Sequence, residues 1–334
     1  MSLKLRPGVY AAYEVSSSSA NDAESALVGI AAAAQKGEAA LITNVSQASE
    51  RFGECSLAKL IRSAMLNGAT RVYAVPTTDG DYGAAFAELI EHDADFLCCD
   101  STDGESFADI AQTLSTAGEA GRFLIAVLEY ENAEAQLLIN KAKSINAENV
   151  MLIGNAGDTE GQLSAAAAGI LSARSDPALP VNGVALKGVT QLKYDFTDAE
   201  IELLLESGVT PLEMFCGEAC FVRGVSTRTM TGGVPDATYR DINTAMVINR
   251  VLPTVRDALR RRFLGRKNDT HTKAAIRSLV ATELQKLKKT ETIAAYGNIT
   301  AEASEDDPGI CVVSFDFSVS KGLHIIELTA HVNL

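Results

Sequence analysis

Three pairs of carboxylates follow apolar runs closely enough to share one rim: Asp79 and Asp81 after Val75, Asp100 and Asp103 after Cys99, Glu129 and Glu131 after Leu128. Carboxylates that converge beyond strand ends can hold Mg²⁺ for phosphoryl chemistry, and strand carboxyl ends are where open α/β sheets bind ligands. The same residue types serve as helix N-caps and solvated turns. That second role is the stronger expectation, because a fold does not by itself license a function. No Gly-x-Gly-x-x-Gly and no Gly-Lys-Ser/Thr follows an expected strand, and Gly154-Asn155-Ala156-Gly157 reads as a turn. His92, His271, His324 and His331 lack the spacing of a metalloenzyme, and Cys216 and Cys220 are wrongly spaced for a zinc knuckle. Cys98 and Cys99, inside an apolar run, read as reduced core thiols, and Cys55 and Cys311 add no ligand pattern. No nucleophile, base and orienting group assemble, so the sequence offers no catalytic, cofactor-binding or metal residue.

The elements that would position such residues alternate. Short apolar runs at 39–43, 71–75, 96–99, 123–128 and 150–153 are separated by helical stretches at 57–67, 84–91, 107–120 and 133–145. Strands that are apolar throughout, with helices between them, predict an α/β fold: a predominantly parallel sheet flanked by helices. Thr197 to Glu200 forms a capping box at the start of a further helix. Cys216 to Arg228 reads as a strand pair, and Gly232-Gly233-Val234-Pro235 as a boundary. The chain has 334 residues, 47% of them hydrophobic and 22% charged, enough for one large or two medium domains. No apolar run is long enough to span a bilayer, and the N-terminus lacks a leader's apolar core, so assembly in a cytoplasm is expected.

Beyond the boundary the composition changes. Two helices are expected at 241–264 and 272–289, the first with a stripe of Ala245, Ile248, Leu252, Val255, Leu259 and Phe263. The second carries Ile276, Val280, Leu284 and Leu287. Pro253 should kink or interrupt the first helix. Residues 239–289 hold thirteen Lys/Arg and four Asp/Glu, a net of +9 within a chain of −14, which leaves −23 for the rest. That separation calls for an oppositely charged partner. No base-stacking or groove-reading residues accompany the Arg260-Arg261-Arg262 run, which argues against a nucleic acid. A solvated helix end is the ordinary use of such a run, and its length with the matching lysine cluster favours a protein partner.

Both ends of the chain have the period of strands. After the Arg6-Pro7-Gly8 turn, Val9, Ala11, Tyr13 and Val15 alternate with Tyr10, Ala12 and Glu14, and residues 16–21 form a supple joint. Near the other end two strands at 296–303 and 310–318 flank the turn 305–309, and Val313, Phe315, Phe317 and Val319 share one face. Lys321-Gly322 is expected to turn the chain into a last strand, with Ile326, Leu328, Ala330 and Val332 on one side. Such strands need edges to pair with.

Read together, Arg6-Pro-Gly-Val-Tyr10, Tyr239-Arg240-Asp241-Ile242-Asn243, Ile248-Asn249-Arg250, Phe263-Leu264-Gly265-Arg266, Ala275-Ile276-Arg277-Ser278 and the strand 313–317 give the chain a resemblance to the tail sheath proteins of contractile bacteriophages and related particles. The resemblance implies an N-terminal arm and linker at 1–21, an acidic outer α/β domain at 22–235, a small α+β domain at 236–320 with an antiparallel sheet, and a C-terminal arm at 321–334. It implies a homopolymer of stacked hexameric rings around an inner tail tube, with baseplate and terminator proteins as further partners. No cofactor, nucleic acid or membrane insertion is implied. Strand exchange between copies would use Val9, Tyr10, Ala11, Tyr13, Val15, Phe315, Phe317, Ile326, Leu328, Ala330 and Val332. Contact with the tube would use Arg250, Arg256, Arg260, Arg261, Arg262, Lys286, Lys288 and Lys289. The other reading open at this point is an acidic α/β enzyme with Mg²⁺-dependent phosphoryl chemistry at the strand ends.

Overall fold

A computed structural model describes residues 26–77, 80–131, 134–155, 161–307 and 309–324. Its centre is a seven-stranded sheet of β1 (Val28–Ala33), β2 (Ala40–Ile42), β3 (Val72–Thr77), β4 (Phe96–Cys99), β5 (Ile125–Glu129), β6 (Val150–Ile153) and β7 (Val209–Thr210). The order is β2-β3-β1-β4-β5-β6-β7, parallel throughout except for β2. One face is covered by α1 (Val45–Phe52), α2 (Ser56–Leu66) and α6 (Gln162–Ser172); the other by α3 (Tyr82–Glu91), α4 (Phe107–Glu119), α5 (Ala135–Ile145) and α7 (Asp198–Glu206). Strands covered on both faces must be apolar at every position, and β4, β5 and β6 are buried end to end.

The strand-and-helix alternation is borne out, with four additions. β1, at the centre of the sheet, has an alanine-rich sequence, Val-Gly-Ile-Ala-Ala-Ala, that carries no period. α6 is buried at all but its first residue, so it shows no amphipathic stripe. α1 is a second helix, and the two-residue β7 a second strand, outside the expected set. The capping box at Thr197 forms as expected. The strand pair expected at 216–228 lies earlier, as β8 (Leu212–Phe215) and β9 (Glu218–Phe221), because Cys216 and Gly217, both at positive φ, form the turn between them. A two-residue pair, β10 (Met230–Thr231) and β11 (Val234–Pro235), closes over Gly232-Gly233.

Next comes α8 (Ile242–Phe263), then α9 (Thr270–Lys289), β12 (Ile293–Ala303) and β13 (Cys311–Val319). α8 is one continuous helix through Pro253, contrary to the expected interruption. Burial on both sides keeps it helical. Its first turns place Ile242, Ala245 and Met246 in the core under the large sheet, while Val247, Val251 and Val255 enter the core of the C-terminal module. Val247 and Val251, rather than Ile248 and Leu252, are the fully buried positions, since the helix has to serve two cores instead of one stripe. In α9 the four expected residues Ile276, Val280, Leu284 and Leu287 are all buried.

Candidate functional site

The carboxylates at the strand ends come first, because they would carry any chemistry. Asp81 caps α3 by accepting from the Ala84 amide. Asp100 accepts from the Ala33 amide at 2.9 Å and the Tyr82 hydroxyl at 2.8 Å. Asp103 accepts from Ser101 and the Glu105 amide, and Glu131 from Thr102. Glu129, 1% exposed, accepts from the Leu163 and Ser164 amides at the start of α6. A carboxylate at the positive end of a helix occupies the place where a phosphate would sit in a nucleotide-binding sheet. Gly161, just before α6, presses on β4, where a Cβ would lie 2.3 Å from the Cys99 carbonyl oxygen. The start of α6 closes the corner at Glu129, whereas Asp100, Asp103, Glu105 and Glu131 line an open cleft of about 530 Å³ with Tyr82 and Ser101. Among the described residues no group of three His, Cys, Asp or Glu is placed to hold a metal ion. Asp79 lies outside the described residues. Burial pushes the Cys99 thiol up to about 12 and Cys98 well above its usual value, as core thiols would be.

The C-terminal module is built differently. β12 and β13 pair antiparallel as a sheet of two strands. Along β13, Cys311, Val313, Phe315, Phe317 and Val319 face α8 and α9, while Val312, Ser314, Asp316 and Ser318 are exposed. Phe315 and Phe317 therefore anchor the hairpin to its own helices, with rings 6.2 Å apart. What the strand leaves outward is main chain: among the described residues neither long edge has a further strand beside it. β12 shifts register twice, between Ile293 and Ala295 and between Gly297 and Thr300, and Asn298 sits at positive φ. β13 runs without a break on its side of the ladder. Val9, Tyr10, Ala11, Tyr13, Val15, Ile326, Leu328, Ala330 and Val332 lie outside the described residues.

The basic residues do not form one surface. Arg256 donates to the Gly121 carbonyl and pairs with Asp257 at 3.1 Å, so it faces the α/β body. Arg250 lies along a cleft of about 620 Å³ with Asp95, Arg71 and Arg122. The walls of that cleft push the Asp95 carboxyl up, while its hydrogen bond from the Leu27 amide and the charge of Arg250 pull it down. Arg260, Arg261 and Arg262 end α8, all exposed. Arg261 and Arg262 line an open cleft of about 490 Å³ with Arg266 and His271. Leu264 beside them is 80% exposed. Lys286, Lys288 and Lys289 lie in the last turn of α9. A helix of twenty residues is about 30 Å long, so the two basic clusters stand at opposite ends of α9.

A doubly covered α/β body carrying a two-helix, two-strand module defines the fold class, and comparison with known proteins gives the family. Residues 76–227 match the phage tail sheath protein central domain and residues 234–333 the phage tail sheath C-terminal domain. The chain belongs to the phage tail sheath family, and is thus a structural subunit of a phage or prophage tail sheath. Solved structures share the fold. The sheath of the anti-feeding prophage in its contracted state is similar with a TM-score of 0.73 and 15% identity, over 99% of this chain and 100% of that one. A sheath tail protein from Desulfitobacterium hafniense matches with a TM-score of 0.68 and 12% identity, over 93% and 100%. One from Listeria innocua gives 0.67 and 10%, over 88% and 95%. Another match comes from the baseplate of the anti-feeding prophage, with a TM-score of 0.73 and 14% identity, over 99% and 100%. No curated protein sequence matches the chain.

Proposed function

We propose that this subunit polymerises helically around an inner tail tube by exchanging strands with its neighbours, and that rearrangement of the polymer drives the tube forward. The observation that carries the reading is the two-stranded sheet of β12 and β13, packed on one face and, among the described residues, open along both edges. Hairpins of two strands are marginal alone, and an unpaired edge invites another chain. The strand-patterned segments at 9–15 and 326–332 supply the pairing strands, donated to other copies through main-chain hydrogen bonds. Head-to-tail contacts that do not close produce a helical tube. The α/β body, which carries most of the negative charge, lies outward, and the C-terminal module inward with its exposed arginines toward the tube. Many weak tube contacts, repeated along the lattice, hold together and release collectively.

Deleting residues 1–19 tests the exchange. The truncated chain should keep the thermal melt and far-ultraviolet dichroism of the full chain, yet give no tubes or rings in negative stain. Tubes of unchanged length from the truncated chain would remove the N-terminal strand from the assembly.

A further inference from the structure

Within the basic C-terminal module, the turn between β12 and β13 is acidic. It carries Glu305, Asp306 and Asp307, with Glu302 just before it on β12, and all four are exposed. The turn is held by its own bonds. The Asp307 carboxylate accepts from the Gly309 amide at 2.7 Å, and the Ser304 hydroxyl from the Asp306 amide at 3.3 Å. Asn268 donates to the Ile310 carbonyl at 3.2 Å, which fixes the turn beside the loop that joins α8 to α9. Among the described residues none of the four carboxylates has an ion pair.

The opposite charge is set into the acidic body, in the cleft of about 620 Å³ between α8 and the loops that lead into β1, β4 and β5. Arg71, Arg122, Arg250 and Arg256 line it. Of its carboxylates, Asp257 pairs with Arg256 at 3.1 Å and Asp95 accepts from the Leu27 amide at 2.7 Å, which leaves Asp93. Arg122 donates to the Ile90 carbonyl. The Arg71 and Arg250 guanidinium groups act on Asp95 through space, but among the described residues neither makes a hydrogen bond or an ion pair. Two such forks side by side suit a pair of carboxylates.

We propose that this cleft receives the acidic β12–β13 turn of a second copy, with Glu305 and Asp306 set against Arg71 and Arg250. The turn cannot serve the cleft of its own chain. It sits beside residues 264–268, and Arg250 lies about 20 Å further back along α8. A contact between unlike surfaces of two copies is head-to-tail, so it repeats from subunit to subunit. It also gives Arg250 a use between sheath subunits, in place of the tube contact expected from the sequence. The proposal rests on the polymer reading for the presence of a neighbour, and not on strand exchange.

Zero-length cross-linking of the full chain tests the contact. An Arg71→Lys/Arg250→Lys chain keeps both charges, and a carbodiimide joins an ammonium group to a carboxylate that touches it. Mixing unlabelled and isotope-labelled chains separates links between copies from links within one. Mixed-isotope links from positions 71 and 250 to Glu305 or Asp306 are expected. Links confined to the same chain, to Asp95 or to Asp22 and Glu24 for example, overturn the proposal, as do links to the tube protein alone. Charge reversal gives a second readout. Arg71→Glu/Arg250→Glu and Glu305→Lys/Asp306→Lys should each lower polymer yield about tenfold or more at low salt, with the monomer's melt unchanged. The chain with all four changes should recover it. Full polymer yield from either reversed chain, or no recovery in the combined one, also overturns the contact. If the mixed links form but the natural chain gives no tubes or rings in negative stain, the polymer reading fails and the contact stands. Tubes without those links leave the polymer reading in place and remove this contact from it.

Discussion

Single side chains decide what the rim of the large sheet can do. Glu129 sits at the end of β5 with its carboxylate on the first amides of α6, which neutralises a helix end that would otherwise attract an anion. Glu129→Gln removes the charge and leaves a buried NH₂ to satisfy. It should cost about 1–3 kcal/mol, read as a lower urea midpoint with an unchanged slope. Asp236 gives a pH-dependent case. Its bonds from the Thr238 hydroxyl, then the Thr231 hydroxyl, hold its carboxyl at about 2 against an ordinary 3.8. A depressed carboxyl stabilises above its unfolded value, so the tie is intact at neutral pH and is lost as pH falls from near 3.8 toward 2. A carboxyl titration by NMR should show that low midpoint, and Thr231→Val should raise it. The sequence showed that carboxylates gather after the strands, and that caps were their stronger use. The partner of Glu129 was not legible, since α6 lies more than thirty residues further along the chain and has no stripe to announce it.

At the level of elements, legibility followed exposure. Helices with one wet face, such as α4, α5 and α9, were visible through their period, and so were the half-exposed strands of the C-terminal hairpin. β1 and α6 are covered on every side and built largely of alanine, so nothing in their spelling distinguishes strand from helix. α6 instead depends on close approach. A Cβ at Gly169 would stand 2.3 Å from the Ala64 carbonyl oxygen of α2, a backbone atom that cannot swing aside. Alanine is the better helix former by about 1 kcal/mol, yet the clash should win. Gly169→Ala is expected to lower stability by about 1–3 kcal/mol, seen as a drop in melting temperature. α8 belongs to both cores, and for that reason Pro253 neither ends it nor shows which stripe is buried.

Across the whole molecule, charge separation was plain from the letters, but its geometry was not. The excess of +9 in residues 239–289 is divided by the fold. Arg256 is turned to the body, Arg250 lines the cleft of Asp95, and Lys286 is paired with Glu283 at 2.9 Å. Arg260, Arg261 and Arg262 remain exposed, with no carboxylate paired to them among the described residues and with the bare Leu264 alongside. Their end of α9 is separated from the lysines by about 30 Å, about three screening lengths in 0.1 M salt. The two clusters therefore act independently; Lys288 and Lys289 are exposed as well, and we propose the arginine end, with Leu264 beside it, as the one that contacts the tube. Reversing Arg260, Arg261 and Arg262 to Glu should leave the melt unchanged, since the side chains lie outside every core, and should abolish cosedimentation with the tube at low salt. Reversing Lys286, Lys288 and Lys289 should reduce it far less. In the natural chain, tube binding should weaken steadily as salt rises, and that dependence should disappear with the arginines. Salt-dependent binding that survives the arginine reversal would assign the tube contact to the opposite end of α9.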